Sequence, residues 1–281
     1  MSKLEAAPPL VVTEITTRTR LFPDFGEAWR HRALAVILAR RNIKVRFRQT
    51  LLGRAWMVIQ PILLTGVFAL LLGGLLRVPS DGLPYAVFAY SGMALWVTFQ
   101  RGVTESGISL VASGSLLSKV YFPRLLIPIS TILTILFDFL FVYAVAVVVV
   151  IAYGLFPGWP ILLSPLPAAL ALLMALAIGL WTTVIDSLFR DARLLIPYAL
   201  QLVFYASPVI YSATLVPERW RAFYAVNPMV GVLQAFRWTM VAGVDAPTAA
   251  MVLYPLTVML FLLVTGLMIF ARFERLAVDR L

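Results

Sequence analysis

A chain of 281 residues that is 62% hydrophobic and 13% charged has too few charges for a water-soluble domain, where about a quarter of residues are charged, so much of its apolar surface must face lipid. With no cysteine and one histidine, His31, it is excluded from disulfide frameworks, cysteine-held metals and any site needing two histidines. The excess of 23 Lys and Arg over 13 Asp and Glu sits at the ends of apolar runs, which suits anionic lipid headgroups and requires no nucleic acid.

Residues 1–23 are polar and include Pro8 and Pro9. They lack the short apolar core of a secretory signal and read as a mobile cytoplasmic tail. Residues 24–54 read as an amphipathic helix lying in the membrane interface. Asp24 and Glu27 have capping-box spacing. Trp29, Ala33, Val36 and Ile37 form an apolar stripe, and Arg40, Arg41, Lys44 and Arg48 crowd the other side. An ordinary basic juxtamembrane segment that only sets topology is the alternative. His31 reads as a headgroup contact.

Residues 55–281 read as an all-α integral membrane domain of six transmembrane helices. A span needs roughly 20 apolar residues. The runs fall at about 55–76, 83–100, 125–153, 161–185, 194–216 and 246–271. The third and fourth are divided at Gly154 to Pro160, where glycine and proline together permit a turn. With both termini on one side, that side carries 19 Lys and Arg against 4 on the other, which makes it cytoplasmic.

Between spans five and six, residues 217–241 predict two short helices. Pro217 suits the first turn of one, and Asn227-Pro228 reads as an N-cap followed by proline at N1. Neither is long enough to cross ~30 Å of hydrocarbon. Their aromatic residues favour a re-entrant pair dipping into the outer leaflet. Trp220, Phe223 and Tyr224 are the candidate external gate, because bulky rings can seal a pore; simple interfacial anchoring is the alternative.

Two stripes mark candidate conduit walls. Tyr85, Phe88, Gly92, Trp96 and Phe99 share one face of span two, and Tyr198, Gln201, Tyr205, Pro208 and Ser212 share one face of span five. Aromatic rings beside hydroxyls and amides suit sugars, and they equally suit helix packing. Asp138 is the one acid deep in a span, on a face with Thr131, Thr134 and Phe141. It reads either as functional or as a helix-locking hydrogen-bonding group. Spans one, three, four and six offer no Lys or Arg to pair with it, and a proton relay would want further ionisable groups.

Three strings then stand out: Arg46-Phe-Arg-Gln-Thr-Leu-Leu-Gly-Arg-Ala-Trp-Met-Val-Ile-Gln-Pro61, Leu117-Ser-Lys-Val-Tyr-Phe-Pro-Arg-Leu-Leu-Ile-Pro128, and Ala206-Ser-Pro-Val-Ile-Tyr211 with Val216-Pro-Glu-Arg-Trp220 and Asn227-Pro-Met229. In order and spacing, over about residues 25–281, the chain resembles the membrane subunit of ATP-binding-cassette exporters of bacterial surface polysaccharides (O-antigen, capsule, teichoic acid). The resemblance implies a homodimer with a channel, and two copies of a separate cytoplasmic ATPase holding ATP and Mg, so that this chain binds no cofactor. It implies a lipid-linked polysaccharide cargo, most readily O-antigen, entering near spans one and five, and a place in the bacterial inner membrane. It also implies that 105–121 docks into the ATPase, with Ile108, Leu110, Val111, Leu116, Leu117, Lys119 and Val120 as coupling candidates. Residues 1–23 have no counterpart in that pattern. A similar exporter of a lipid or drug, and a membrane enzyme acting on lipid-linked glycans, are the competing readings; the external acids Asp81, Glu218 and Asp245, without histidine, give the enzyme little to work with.

Overall fold

The computed structural model describes residues 21–46, 53–117, 122–189 and 191–278, and among them every regular element is helical. Most of the expected tail, residues 47–52 of the expected interfacial helix, and Lys119 and Val120 lie outside these residues.

Asp24 caps α1 (Phe25–Arg30), its carboxylate accepting from the Glu27 amide at 3.0 Å, as the capping spacing predicts. The expected continuous helix then breaks at His31. That residue closes α1, its amide bonding the Glu27 carbonyl, and α2 (Arg32–Arg46) begins anew. His31 is therefore a joint between two helices. One face of α2, with Ala35, Leu38 and Ala39, is buried against α6, while Val36 and Ile37 stay exposed.

The first span appears as α3 (Trp56–Phe68), whose axis continues through wider, i→i+5 turns over Ala69–Leu75. α4 (Tyr85–Ala112) does not end near residue 100 as expected. It runs 28 residues, three turns past the apolar stretch, with Arg101 and Glu105 paired across one turn at 3.1 Å. A short turn, α5 (Gly114–Leu117), follows, then α6 (Leu126–Ala152). A 3₁₀ turn at Trp159–Leu163 leads into α7 (Pro165–Leu188). The bidentate pair of Arg193 on Asp186, at 2.6 and 3.2 Å, staples the corner into α8 (Ala192–Tyr205). Then come α9 (Glu218–Tyr224), α10 (Pro228–Met240) and α11 (Ala249–Val278).

α4 is the central rod. It packs on α6 and α7, and also touches α3, α8 and α10. One core spans its first two thirds, from Val87 to Val103, with α6, α7, α10 and Phe204 of α8. A second core joins α2 to the first turns of α6 and the last turns of α7 and α11. α10 lies against α11 so closely that a Cβ on Gly231 would stand 2.0 Å from the Met251 carbonyl oxygen. Among the described residues, four stretches are long and apolar enough to cross a membrane: Trp56–Leu75, Leu126–Ala152, Trp159–Leu188 and Ala249–Glu274.

Candidate functional site

The span expected at 194–216 stops being a helix after Tyr205. Pro208 has no amide to donate, and its ring disfavours the helical conformation at Ser207. The chain then runs irregularly from Ala206 to Ser212. Much of this stretch is buried, and buried backbone must find partners within the protein; here side chains from distant elements supply them. Asn227 donates to the Ala206 carbonyl at 3.0 Å and to Ser207 Oγ at 2.8 Å. Arg237 donates to the Val209 carbonyl at 2.8 Å, and Tyr85 to the Ile210 carbonyl at 2.5 Å. Tyr211 turns back to donate to the Tyr205 carbonyl at 2.8 Å. Ser212 donates to Asp81, which also accepts from Thr214 at 3.2 Å.

Arg237 is the surprise of this site. The charge count places it on the non-cytoplasmic side, and it is 3% exposed, with its guanidinium 3.8 Å from the centroid of the Phe88 ring. Its position follows from α10. Asn227 caps that helix through the Met229 amide at 3.0 Å, as the Asn-Pro spacing predicts, and the helix then carries Leu233, Phe236, Arg237 and Met240 inward. Gly92 on α4 makes the approach possible: a Cβ there would lie 2.6 Å from both the Arg237 guanidinium and the Val209 carbonyl oxygen. The only advance signal of this role is an arginine amid apolar residues on a helix too short to span.

The two expected conduit stripes part company. Phe88, Trp96 and Phe99 are buried inside this one chain: Trp96 meets Phe99 and Phe204, Phe204 also meets Phe68, and Phe88 lies against Tyr85 and Arg237. A buried ring lines no surface, so the lining expected of these three is corrected to a packing role. Tyr85 is half-buried and engaged with the helix break. On α8, Tyr198, Gln201 and Tyr205 are exposed along one face, with Gln201 reaching Tyr205 at 3.4 Å. Of the gate candidates, Trp220 and Phe223 are exposed, whereas Tyr224 is turned in against Tyr211 with ring centroids 6.5 Å apart.

At the other end of α4, Asp138 is not isolated. It is 2% exposed and pairs with Arg101 at 2.7 Å and with Arg46, while Glu105 pairs with both arginines. The expectation of an unpartnered acid is therefore overturned. Its partners come from the last turn of α2 and from the part of α4 that runs past the expected second span. The cluster ties α2, α4 and α6 together beside a cavity of about 310 Å³ lined also by Trp56, Met57 and Gln60 of α3. Of the coupling candidates, Ile108 and Val111 are exposed on the last turns of α4. Leu110 is buried, and Leu116 is partly buried against the second core.

The family model for the ABC-2 type transporter matches residues 33–241. The chain is 30% identical over 213 residues to the O-antigen export system permease protein RfbA of Myxococcus xanthus, covering 75% of this chain and 81% of that protein. It is 27% identical over 208 residues to the protein of the same name from Klebsiella pneumoniae, covering 73% and 78%. It is also 22% identical over 212 residues to the polysialic acid transport protein KpsM of Escherichia coli, covering 72% and 79%.

Proposed function

Because this chain belongs to the ABC-2 type transporter family, we propose that it is the permease subunit of an ATP-driven exporter that carries lipid-linked polysaccharide, most readily O-antigen, across the bacterial inner membrane. The observation that carries this reading is similarity over about three quarters of the chain to relatives named for O-antigen export and polysialic acid transport. A separate cytoplasmic ATPase hydrolyses the ATP and holds its Mg, this chain binds no cofactor, and two copies of each subunit assemble. The test is deletion of the chain in its host: surface polymer should be lost while lipid-linked polymer accumulates inside. Unchanged surface polymer would refute the reading.

In this reading six segments cross the membrane. α4 supplies the second span; 28 residues reach about 42 Å. α8 and the irregular chain after it supply the fifth. α1 and α2 lie in the interface, with Trp29 and Ile37 toward lipid. α9 and α10 form the re-entrant pair; the packing of α10 against α4, α7 and α11 supports this. The natural absence of cysteine makes the topology simple to test. In sphaeroplasts an impermeant maleimide should label Ala225→Cys and spare Ala112→Cys; the reverse pattern would invert the orientation.

The exposed face of α8 lines the conduit between protomers through Tyr198, Gln201 and Tyr205, and the buried Phe88, Trp96 and Phe99 hold that face in place. Trp220 and Phe223 close the external mouth, with Tyr224 fixing α9 against the helix break. Replacing Trp220 and Phe223 together with alanine should leave assembly intact and let resting complexes leak small solutes from liposomes. No added leak would reduce these rings to interfacial anchors.

Ile108 and Val111 meet the ATPase, joined by Leu117 and Lys119. Ile108→Asp with Val111→Asp should leave the protein at normal levels in the membrane and cut export at least about tenfold, since placing two carboxylates in an apolar interface costs more than about 1.4 kcal/mol. Full export with normal ATPase association would remove this assignment.

A further inference from the structure

Beneath α1 and α2 the chain leaves a long groove of about 830 Å³, within the range of pockets that hold small molecules. Phe25, Trp29 and Val36 form one wall, and Leu133 of α6, Leu180 of α7 and Leu267 of α11 form the other. The floor is the second core, so the groove is apolar along its length. From Leu126, at the end of α6 near α2, to Leu133 is seven residues, a depth on the order of 10 Å at the helical rise. That depth stays within one leaflet of a core ~30 Å thick.

The rim is basic. Arg30 and Arg32 both border the groove. Arg32 is held there, its guanidinium 4.9 Å from the Trp29 ring centroid and bonded to the Trp29 carbonyl at 3.2 Å. Among the described residues neither arginine pairs with a carboxylate. Asp24 and Glu27, the acids of this segment, do not line the groove. From Phe25 to Arg46 there are six Lys and Arg against the single acid Glu27. A leucine-walled slot one leaflet deep, with two guanidinium groups at its mouth, complements one kind of molecule.

We propose that this groove binds one anionic phospholipid, its acyl chains along the leucine wall and its phosphate between Arg30 and Arg32. A zwitterionic lipid would bring an ammonium group to the same two cations and lose the preference. The bound lipid fills the wedge between α1–α2 and the bundle, so it sets how α2 sits on α6. The site is separate from the conduit and does not depend on which cargo the exporter carries.

Trp29 reports on the groove directly. The full chain with its ATPase partner is reconstituted in phosphatidylcholine vesicles containing an equal minor fraction of brominated phosphatidylglycerol or brominated phosphatidylcholine. Subtracting the signal of Trp29→Phe isolates quenching of Trp29. Quenching should be at least about threefold stronger with the anionic lipid, in keeping with the attraction of each arginine for anionic headgroups. Arg30→Gln with Arg32→Gln should remove that preference, while Arg40→Gln with Arg41→Gln, which deletes the same charge away from the groove, should retain it. In the wild-type chain alone, unbrominated phosphatidylglycerol should relieve the quenching where phosphatidylcholine does not, a readout that needs no arginine variant to fold. Equal quenching by the two lipids would overturn the proposal. So would loss of the preference in the Arg40/Arg41 variant, which would indicate general surface attraction, or protection of Trp29 from both lipids, which would indicate a protein segment such as residues 1–20 in the groove.

Discussion

Asp138→Ala should destabilise the folded chain by about 3 kcal/mol, because removing one partner of a buried ion pair leaves the others uncompensated. The figure sits at the low end of the range for such losses. Arg46 and Arg101 are each about a quarter exposed, and Glu105 remains beside them. Asp138→Asn keeps the size and part of the hydrogen bonding and should cost less. Denaturant unfolding in detergent measures both. Arg101→Ala should be non-additive with Asp138→Ala, since each breaks the same contact. A loss below about 1 kcal/mol for Asp138→Ala would mean that the cluster does not hold α2, α4 and α6 together. Lost export at unchanged stability would instead give the carboxylate a direct part in transport.

Arg237→Ala should be comparably severe, at about 2–4 kcal/mol, and should abolish export. The side chain fills space against Phe88 and satisfies the Val209 carbonyl, so truncation opens a cavity and leaves a buried acceptor unpaired. Relief from burying the guanidinium works in the opposite direction, which keeps the net loss below the sum of those two effects. Gly92→Ala attacks the same place from α4, forcing a methyl group to 2.6 Å from the Val209 carbonyl oxygen and the guanidinium. Because removing the arginine vacates half of that space, the double variant should cost less than the two single losses combined. Strict additivity in unfolding measurements would show that the two residues do not share the helix break.

Much of this architecture is legible in the residues themselves. Long, strongly apolar runs locate α3, α6, α7 and α11, because a helix facing lipid must be apolar over most of its length. Local capping is equally readable: Asp24 and Asn227 bond the amides that their spacing predicts. What composition does not reveal is partnership across the fold. Arg101 looks like the end of a span, since a cation ordinarily marks the membrane surface, yet α4 carries it onward because Asp138 neutralises it from α6. Arg237 looks like a loop charge for the same reason. The stripe of Phe88, Trp96 and Phe99 has helical spacing whether it faces a channel or a core. Only the position of Phe204, on a helix about a hundred residues away, decides for the core.

The central claim is vectorial, ATP-dependent movement of a glycan on a lipid. It is tested most directly by reconstituting the chain with its ATPase partner in vesicles carrying a lipid-linked polysaccharide on the ATPase side. The glycan should become accessible to a glycosidase on the far side only when ATP is hydrolysed, and a glycan-free form of the same lipid should not compete for transport. No ATP-dependent movement, or equal movement of the bare lipid, would contradict polysaccharide export.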